Sequence, residues 1–251
     1  MSKRFVVVYE APADFATATE LADRALVAEI DWLDETLLES QRQWVREDQS
    51  GCRLAWKSIP GRAQELGIVV RGHFGGEPGL PDAQAARRAI LYILRQFDTV
   101  DAILLIRDVD DQIERRDGLK QARANDKSAK KIIVGVAIVE RESWAISGFD
   151  PASADEQERL AEESQKLGFN PCLRSHELTA CKNDQAKKSP KRVLAVLTDN
   201  SGERQKECWQ VTSLAVLRER GEENGLRDYL DEVKQLLVPL ITGDEGMAER
   251  R

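Results

Sequence analysis

Ile103-Leu104-Leu105-Ile106-Arg107-Asp108-Val109-Asp110-Asp111 is the stretch on which the reading of this chain turns. Four apolar residues in a row, β-branched at both ends, have the pattern of a buried central strand. The run then stops at three carboxylates within four residues. Like charges this close resist ionising together, so an acidic strand end calls for a positive partner. A divalent cation is the usual one, and Mg²⁺ prefers a few carboxylates and several waters.

Two further runs repeat the pattern. Phe5-Val6-Val7-Val8-Tyr9 leads to Glu10, and Ile132-Ile133-Val134-Gly135-Val136-Ala137-Ile138-Val139 leads to Glu140 and Glu142. Long apolar runs separated by helical patterns indicate a parallel α/β sheet. If the three strands are parallel, their acids leave from one edge, where open α/β sheets collect their chemistry. Between them the pattern predicts a helix over Ala13–Ile30, another over 31–50, a short strand at Arg53–Ser58 and a firmer one at Gly67–Arg71. Asp82 is placed to cap a helix over Ala83–Phe97. The segment 72–79 holds four glycines in eight residues. Its spacing is neither a phosphate-binding P-loop nor a dinucleotide fingerprint, and it reads as a surface loop or as a backbone able to approach a phosphate.

Composition sets the bounds. The chain has 251 residues, 41% hydrophobic and 32% charged, with a net charge of −7, which is ordinary for a globular protein with a real core. The acidic balance argues against a surface coated in nucleic acid, and it leaves room for a local basic groove. No apolar run approaches the roughly 18–20 residues of a membrane span. The start has no signal-peptide pattern, and the four cysteines are widely spaced. A cytoplasmic protein with reduced thiols is expected. Cys172, His176, Cys181 and Cys208 could be drawn as a zinc site, but they lack the close cysteine pair of common structural sites.

Positive charge is concentrated in two places. A helix over Gln112–Lys131 carries Arg115, Arg116, Lys120, Arg123, Lys127, Lys130 and Lys131, and a second cluster holds Lys182, Lys187, Lys188, Lys191 and Arg192. Each is either a solvated face or a track for a phosphate backbone beside the acids. The last third reads as helical: an acidic helix over Ala154–Leu167 stopped by Gly168, a short helix from Pro190 to Leu197, then helices over Glu207–Arg220 and Leu226–Ile241.

Strand–Glu–helix, then strand–Asp-x-Asp, then a strand followed by glutamate, resembles the Toprim fold shared by type IA and type II topoisomerases, bacterial primases and several nucleases. Glu10 matches the family's first acid, and Asp108 and Asp110 match its Asp-x-Asp. Glu140-Arg141-Glu142-Ser143-Trp144 is similar to a segment of small stand-alone Toprim-like proteins of bacterial defence loci. So is a tail with His176, Lys182 and Pro190-Lys191-Arg192. Many members have glycine after the first glutamate, and this chain has Ala11.

The resemblance implies a Toprim-like, mostly parallel sheet flanked by helices over residues 1–150. A helical extension with a basic loop follows over 151–243, then a tail over 244–251. It implies a Mg²⁺- or Mn²⁺-dependent nuclease acting on DNA or RNA, in anti-phage defence or RNA processing. Glu10, Asp108 and Asp110 would be catalytic, with Asp111, Glu140 and Glu142 completing the metal shell. Arg115, Arg116, Lys120, Arg123, His176, Lys182, Lys187, Lys188, Lys191 and Arg192 would contact nucleic acid. The alternative from a different class is a non-catalytic or conditionally activated subunit that binds a partner protein such as an ATPase.

Overall fold

The fold is known from a computed structural model, which describes residues 2–110 and 112–244. Asp111, one of the expected metal ligands, lies outside the described residues, as does nearly all of the expected tail. The chain divides into two compact units, each assembled from separate segments: 1–107, 114–135 and 231–251 in the first, 108–113 and 136–230 in the second.

The first unit is built on β1 (Lys3–Val8), whose Phe5 to Val8 are fully buried. Pro12 opens α1 (Pro12–Glu29), which lays Ala18, Leu21, Ala22, Ala25 and Leu26 on the sheet side. There follow α2 (Glu35–Gln41), β2 (Arg42–Val45), α3 (Ile59–Glu65), the hairpin strands β3 (His73–Phe74) and β4 (Glu77–Pro78), α4 (Ala83–Gln96), β5 (Ala102–Asp108), α5 (Glu114–Ala124) and β6 (Lys131–Ala137). The main sheet is four-stranded and parallel, in the order β2-β1-β5-β6. Val6 pairs with Ile103 and Val8 with Leu105. A parallel strand covered on both faces has to be apolar on both, which is why these runs are continuous rather than alternating. Because the strands point the same way, the segments following β1, β5 and β6 leave from one edge of the sheet.

Several expectations need correction. Residues 31–50 are not one helix. α2 stops at Gln41, and Arg42–Val45 pairs with Lys3–Val6 as an edge strand. The deciding contact comes from α1: the Asp23 carboxylate accepts from Arg42 Nε (2.8 Å) and Nη2 (2.6 Å) and from Trp44 Nε1 (2.9 Å). Positions i and i+2 share a side only in a strand. Gly67–Arg71 forms no strand, and its Val69 is 84% exposed. Arg53–Ser58 contributes only isolated bridges, Glu47 with Arg53 and Tyr9 with Ala55. The glycine-rich loop is a hairpin. Gly75 and Gly76 have φ of +60° and +97°, as a tight turn between two short strands requires. Asp82 stands at the start of α4 at φ +62° but makes no side-chain cap. The basic helix is shorter than expected, so Lys127, Lys130 and Lys131 lie beyond α5.

The second unit contains α6 (Glu142–Gly148), α7 (Ala154–Leu167), α8 (Pro190–Leu197), α9 (Gly202–Gln210), α10 (Leu214–Arg220) and most of α11 (Leu226–Glu232). α7 ends at Gly168 in the left-handed region (φ +87°), and α8 starts at Pro190, both as the sequence predicts. The expected helix over Glu207–Arg220 is two helices, separated where Ser213 caps α10 by accepting from Val216 N.

The centre of this unit is Asn224, which is fully buried. Its Nδ2 donates to Ser143 O (3.0 Å), Ser147 Oγ (2.5 Å) and Ser175 Oγ (2.9 Å). Its carbonyl accepts from Trp144 Nε1 and from Ile138 N. Trp144 stacks on Tyr229 with ring centroids 5.2 Å apart. The next residue, Gly225 (φ +85°), has no room for a side chain, because a Cβ there would lie 2.1 Å from Val136 O.

The chain then returns to the first unit, where α11 gives way to a π turn (Val233–Leu237) and α12 (Val238–Thr242). Pro239 lacks an N–H and crowds the preceding turn, which accounts for the widened turn in what the pattern predicts as one helix. Glu232 accepts from Val134 N (2.6 Å) and Arg123 Nη1 (2.8 Å), fixing the C-terminal segment to β6 and α5.

Candidate functional site: acids beyond the strand ends

Each unit carries part of the expected constellation. In the first, Glu10 follows β1 and faces Arg107 at 3.0 Å. The Arg107 guanidinium lies over the Trp56 ring (5.3 Å) and donates to Asp82 (2.8 Å), and Arg115 approaches Asp82 at 3.6 Å. Asp82 is therefore a partner of arginines rather than a helix cap. Glu10 and Asp82 thus each face a guanidinium in this corner.

In the second unit, Val109 N and Asp110 N donate to Ala137 O and Val139 O, both at 2.9 Å. Asp110 (φ +52°) and Val139 (φ +76°) form an antiparallel bridge while both sit in the left-handed region. For β-branched Val139 this is an outlier. Such backbone costs about 1–3 kcal/mol per residue and persists where the surroundings over-determine it. Glu140, next in sequence, is 8% exposed. Burial pushes its carboxyl above the ordinary range; Lys191 opposes this, while Glu142 and Asp110 add to it. Lys191 Nζ stands 3.5 Å from Glu140 and 3.3 Å from Asp184. Burial works against the Lys191 charge, and Glu140, Asp184 and Glu142 outweigh it, so its pKa is raised. Glu142 is paired with Arg141 at 2.7 Å. Lys191 also borders a cavity of about 320 Å³ lined by Asp184, Gln185, Arg192 and Asn200.

These donors suit a hard divalent ion in kind. Mg²⁺ takes one or two carboxylates and keeps its waters, and the corner around Glu140 is rich in acid. Among the described residues, no three His, Cys, Asp or Glu side chains are grouped so as to hold a metal ion. Acids of this corner already face cations, which a metal would have to displace.

The basic residues divide into two kinds. Arg123 is committed to Glu232 and to Ile132 O, and Arg115 to Asp82. Arg192 is buried, with Glu163 on one side and the Ala186 and Lys187 carbonyls on the other, so it anchors the basic loop. Arg116 stands 3.9 Å from Asp117, and Lys120 is half-buried. Lys182, Lys187 and Lys188 are exposed, with Lys188 over the Phe169 ring at 5.5 Å. His176 lies 3.8 Å from Glu177. Cys172 and Cys208 are buried, and burial pushes both thiols up to about 12, the opposite of what a zinc-binding thiolate needs. Sequence reasoning did not anticipate Arg107 or Arg141 as the acids' partners, nor Asp82 as a second acid on Arg107; the alternation of opposite charges in Arg107-Asp108 and Glu140-Arg141-Glu142 was the available signal.

No family model matches the chain, and no curated protein or solved structure matches it. No helix among the described residues is long and apolar enough to cross a membrane.

Proposed function

We propose that this chain is a Toprim-like, divalent-metal-dependent nuclease that rests with its acids compensated by its own arginines and lysine. One observation carries the reading: the strained Asp110–Val139 bridge sets Asp110 and buried, acid-surrounded Glu140 together beyond β5 and β6. Asp108, Asp110, Glu140 and Glu142 would hold the Mg²⁺ or Mn²⁺ once drawn together, since no three described acids are grouped for it at rest. The resemblance gives Glu10 a share in the chemistry, which Glu10→Gln tests directly. When bound, the metal would polarise a scissile phosphate and lower the pKa of an attacking water. Lys191, released from Glu140, then serves a phosphate, while exposed Lys182, Lys187 and Lys188 hold a DNA or RNA backbone by charge.

A second reading draws on another observation. Glu10, Glu140 and Glu142 face Arg107, Lys191 and Arg141, as they would in a subunit that binds a partner such as an ATPase and does no chemistry. Titration calorimetry with Mn²⁺ and Mg²⁺ separates the two. Binding to the wild type that vanishes in the Asp108→Ala, Asp110→Ala double variant, with metal-dependent cleavage of DNA or RNA, supports the nuclease. Absence of binding, with nucleic acid added, moves the assignment to the partner-binding subunit.

A further inference from the structure

The glycine-rich hairpin and the segment before it form something the acids do not need. Val69, Val70 and Leu91 supply the apolar wall of an open pocket of about 270 Å³ in the first unit, and Arg71, His73 and Arg87 stand around it. In a chain of net charge −7 two arginines and an imidazole meet here. The Arg71 and His73 side chains make no hydrogen bond or ion pair among the described residues. Arg87 is held in place from one side: its bonds to Asn125 O (3.2 Å) and Asp126 (3.0 Å) both leave from Nη1. Nε and Nη2 of the same fork remain for a ligand, and a guanidinium fork matches a phosphate bidentately.

The hairpin beside the wall is tightly built. A Cβ on Gly79 would lie 2.9 Å from the Phe74 ring, and one on Gly75 would lie 3.2 Å from Asn125 Oδ1. The glycines thus let the hairpin close on Phe74 and on the loop after α5. Val69, 84% exposed, finds no strand to pair with and faces the pocket.

An apolar wall flanked by Arg71, the His73 imidazole and the open side of Arg87 suits a ligand with a flat apolar body and an anionic end. The volume holds one such unit and not two. We propose that this pocket binds a single nucleoside monophosphate, either free or as the 5′-phosphorylated end of a strand. The base lies on Val69 and Leu91, and the phosphate is taken by Arg71, His73 and the open side of Arg87.

The test is calorimetric titration of the full chain, without added metal, with AMP, CMP, GMP and UMP. Inorganic phosphate and tetranucleotides with and without a 5′-phosphate are titrated alongside, and the series is repeated on Arg71→Ala and Val69→Asp. Both substitutions fall at exposed positions. Saturable nucleotide binding that each variant weakens by about tenfold or more is expected, as the loss of a charge-assisted phosphate contact implies. Tighter binding of the 5′-phosphorylated tetranucleotide assigns the pocket to a strand end; tighter binding of the mononucleotide assigns it to a free nucleotide. No saturation, phosphate binding as tight as nucleotide, or variants that bind like the wild type would overturn the proposal. A protein that binds nucleotide but no divalent metal removes the nuclease reading and leaves this one standing, and the reverse result does the opposite.

Discussion

Asp48 and Glu140 are two carboxylates at nearly equal exposure, 6% and 8%, one in each unit. Asp48 accepts from Ser50 N and Oγ, Cys52 N, Tyr92 Oη (2.7 Å) and Arg62 Nη1 (2.7 Å). Burial pulls its pKa upward, but the donors from Ser50, Tyr92 and the Cys52 and Ser50 backbone win, holding it at about 2. Glu140 has Lys191 at 3.5 Å, a side chain 45% exposed, and burial wins. The difference separates an acid used to build the fold from an acid kept short of partners. The second kind costs stability rather than adding to it.

The comparison can be broken most forcefully at Asp48. Asp48→Ala strips five donors of their acceptor and leaves Arg62 facing an apolar methyl. A loss of about 3 kcal/mol in urea unfolding at pH 7 is expected. A loss below about 1 kcal/mol would place Asp48 with ordinary surface acids.

The same residue predicts the acid limb. A carboxylate whose folded pKa lies below its unfolded value near 4 adds stability that is complete above pH 4. That stability is lost as pH falls towards 2. Asp48 should account for about 2 kcal/mol of it, read as a wild-type minus Asp48→Asn difference that shrinks between pH 5 and pH 2.

Glu140 carries the opposite sign. Its folded pKa is raised, so the native state holds a proton more firmly than the unfolded one, and stability falls as pH rises from the unfolded glutamate value through the raised folded one. Glu140→Gln should therefore stabilise the protein at pH 7, by about 1 kcal/mol, while weakening divalent-metal binding. A destabilised variant would make Glu140 a second Asp48.

An effect no larger, and of opposite sign, is expected at Lys191. Lys191→Ala should destabilise the protein by about 1 kcal/mol at pH 7, because Lys191 is half-exposed but its loss leaves buried Glu140 without its cation. It should tighten metal binding a few-fold, because it removes the cation that competes for Glu140. Calorimetry on the single variant reads both the sign and the size.

How far the sequence carried this reading depends on the range of the deciding contacts. The apolar runs in β1, β5 and β6, the Gly168 stop and the Pro190 start are local signals, and the structure follows them. Trp44 and Val45 fit a helical stripe as well as a strand; Asp23, some twenty residues earlier, decides between them. Gly67-Ile68-Val69-Val70-Arg71 has the composition of a strand but no strand to pair with. The acids could be read directly, since each follows an apolar run. Lys191 could be seen only as one member of a basic cluster, because its contact with Glu140 spans about fifty residues. Trp144, quoted with the acids, is a core residue stacked on Tyr229.

The bonds made by Asn224 and Glu232 have a consequence for how the chain is made. Asn224 ties together segments around 138–147, 175 and 226, and Glu232 reaches back to Val134. Synthesis runs from the N-terminus, and such long-range links form late. On the ribosome, Val134, Ile138, Ser143 and Ser147 all emerge well before Asn224 and Glu232, their later partners. Each unit is completed only by a segment near the C-terminal end of the described residues, so the bonds of Asn224 and Glu232 are among the last to form.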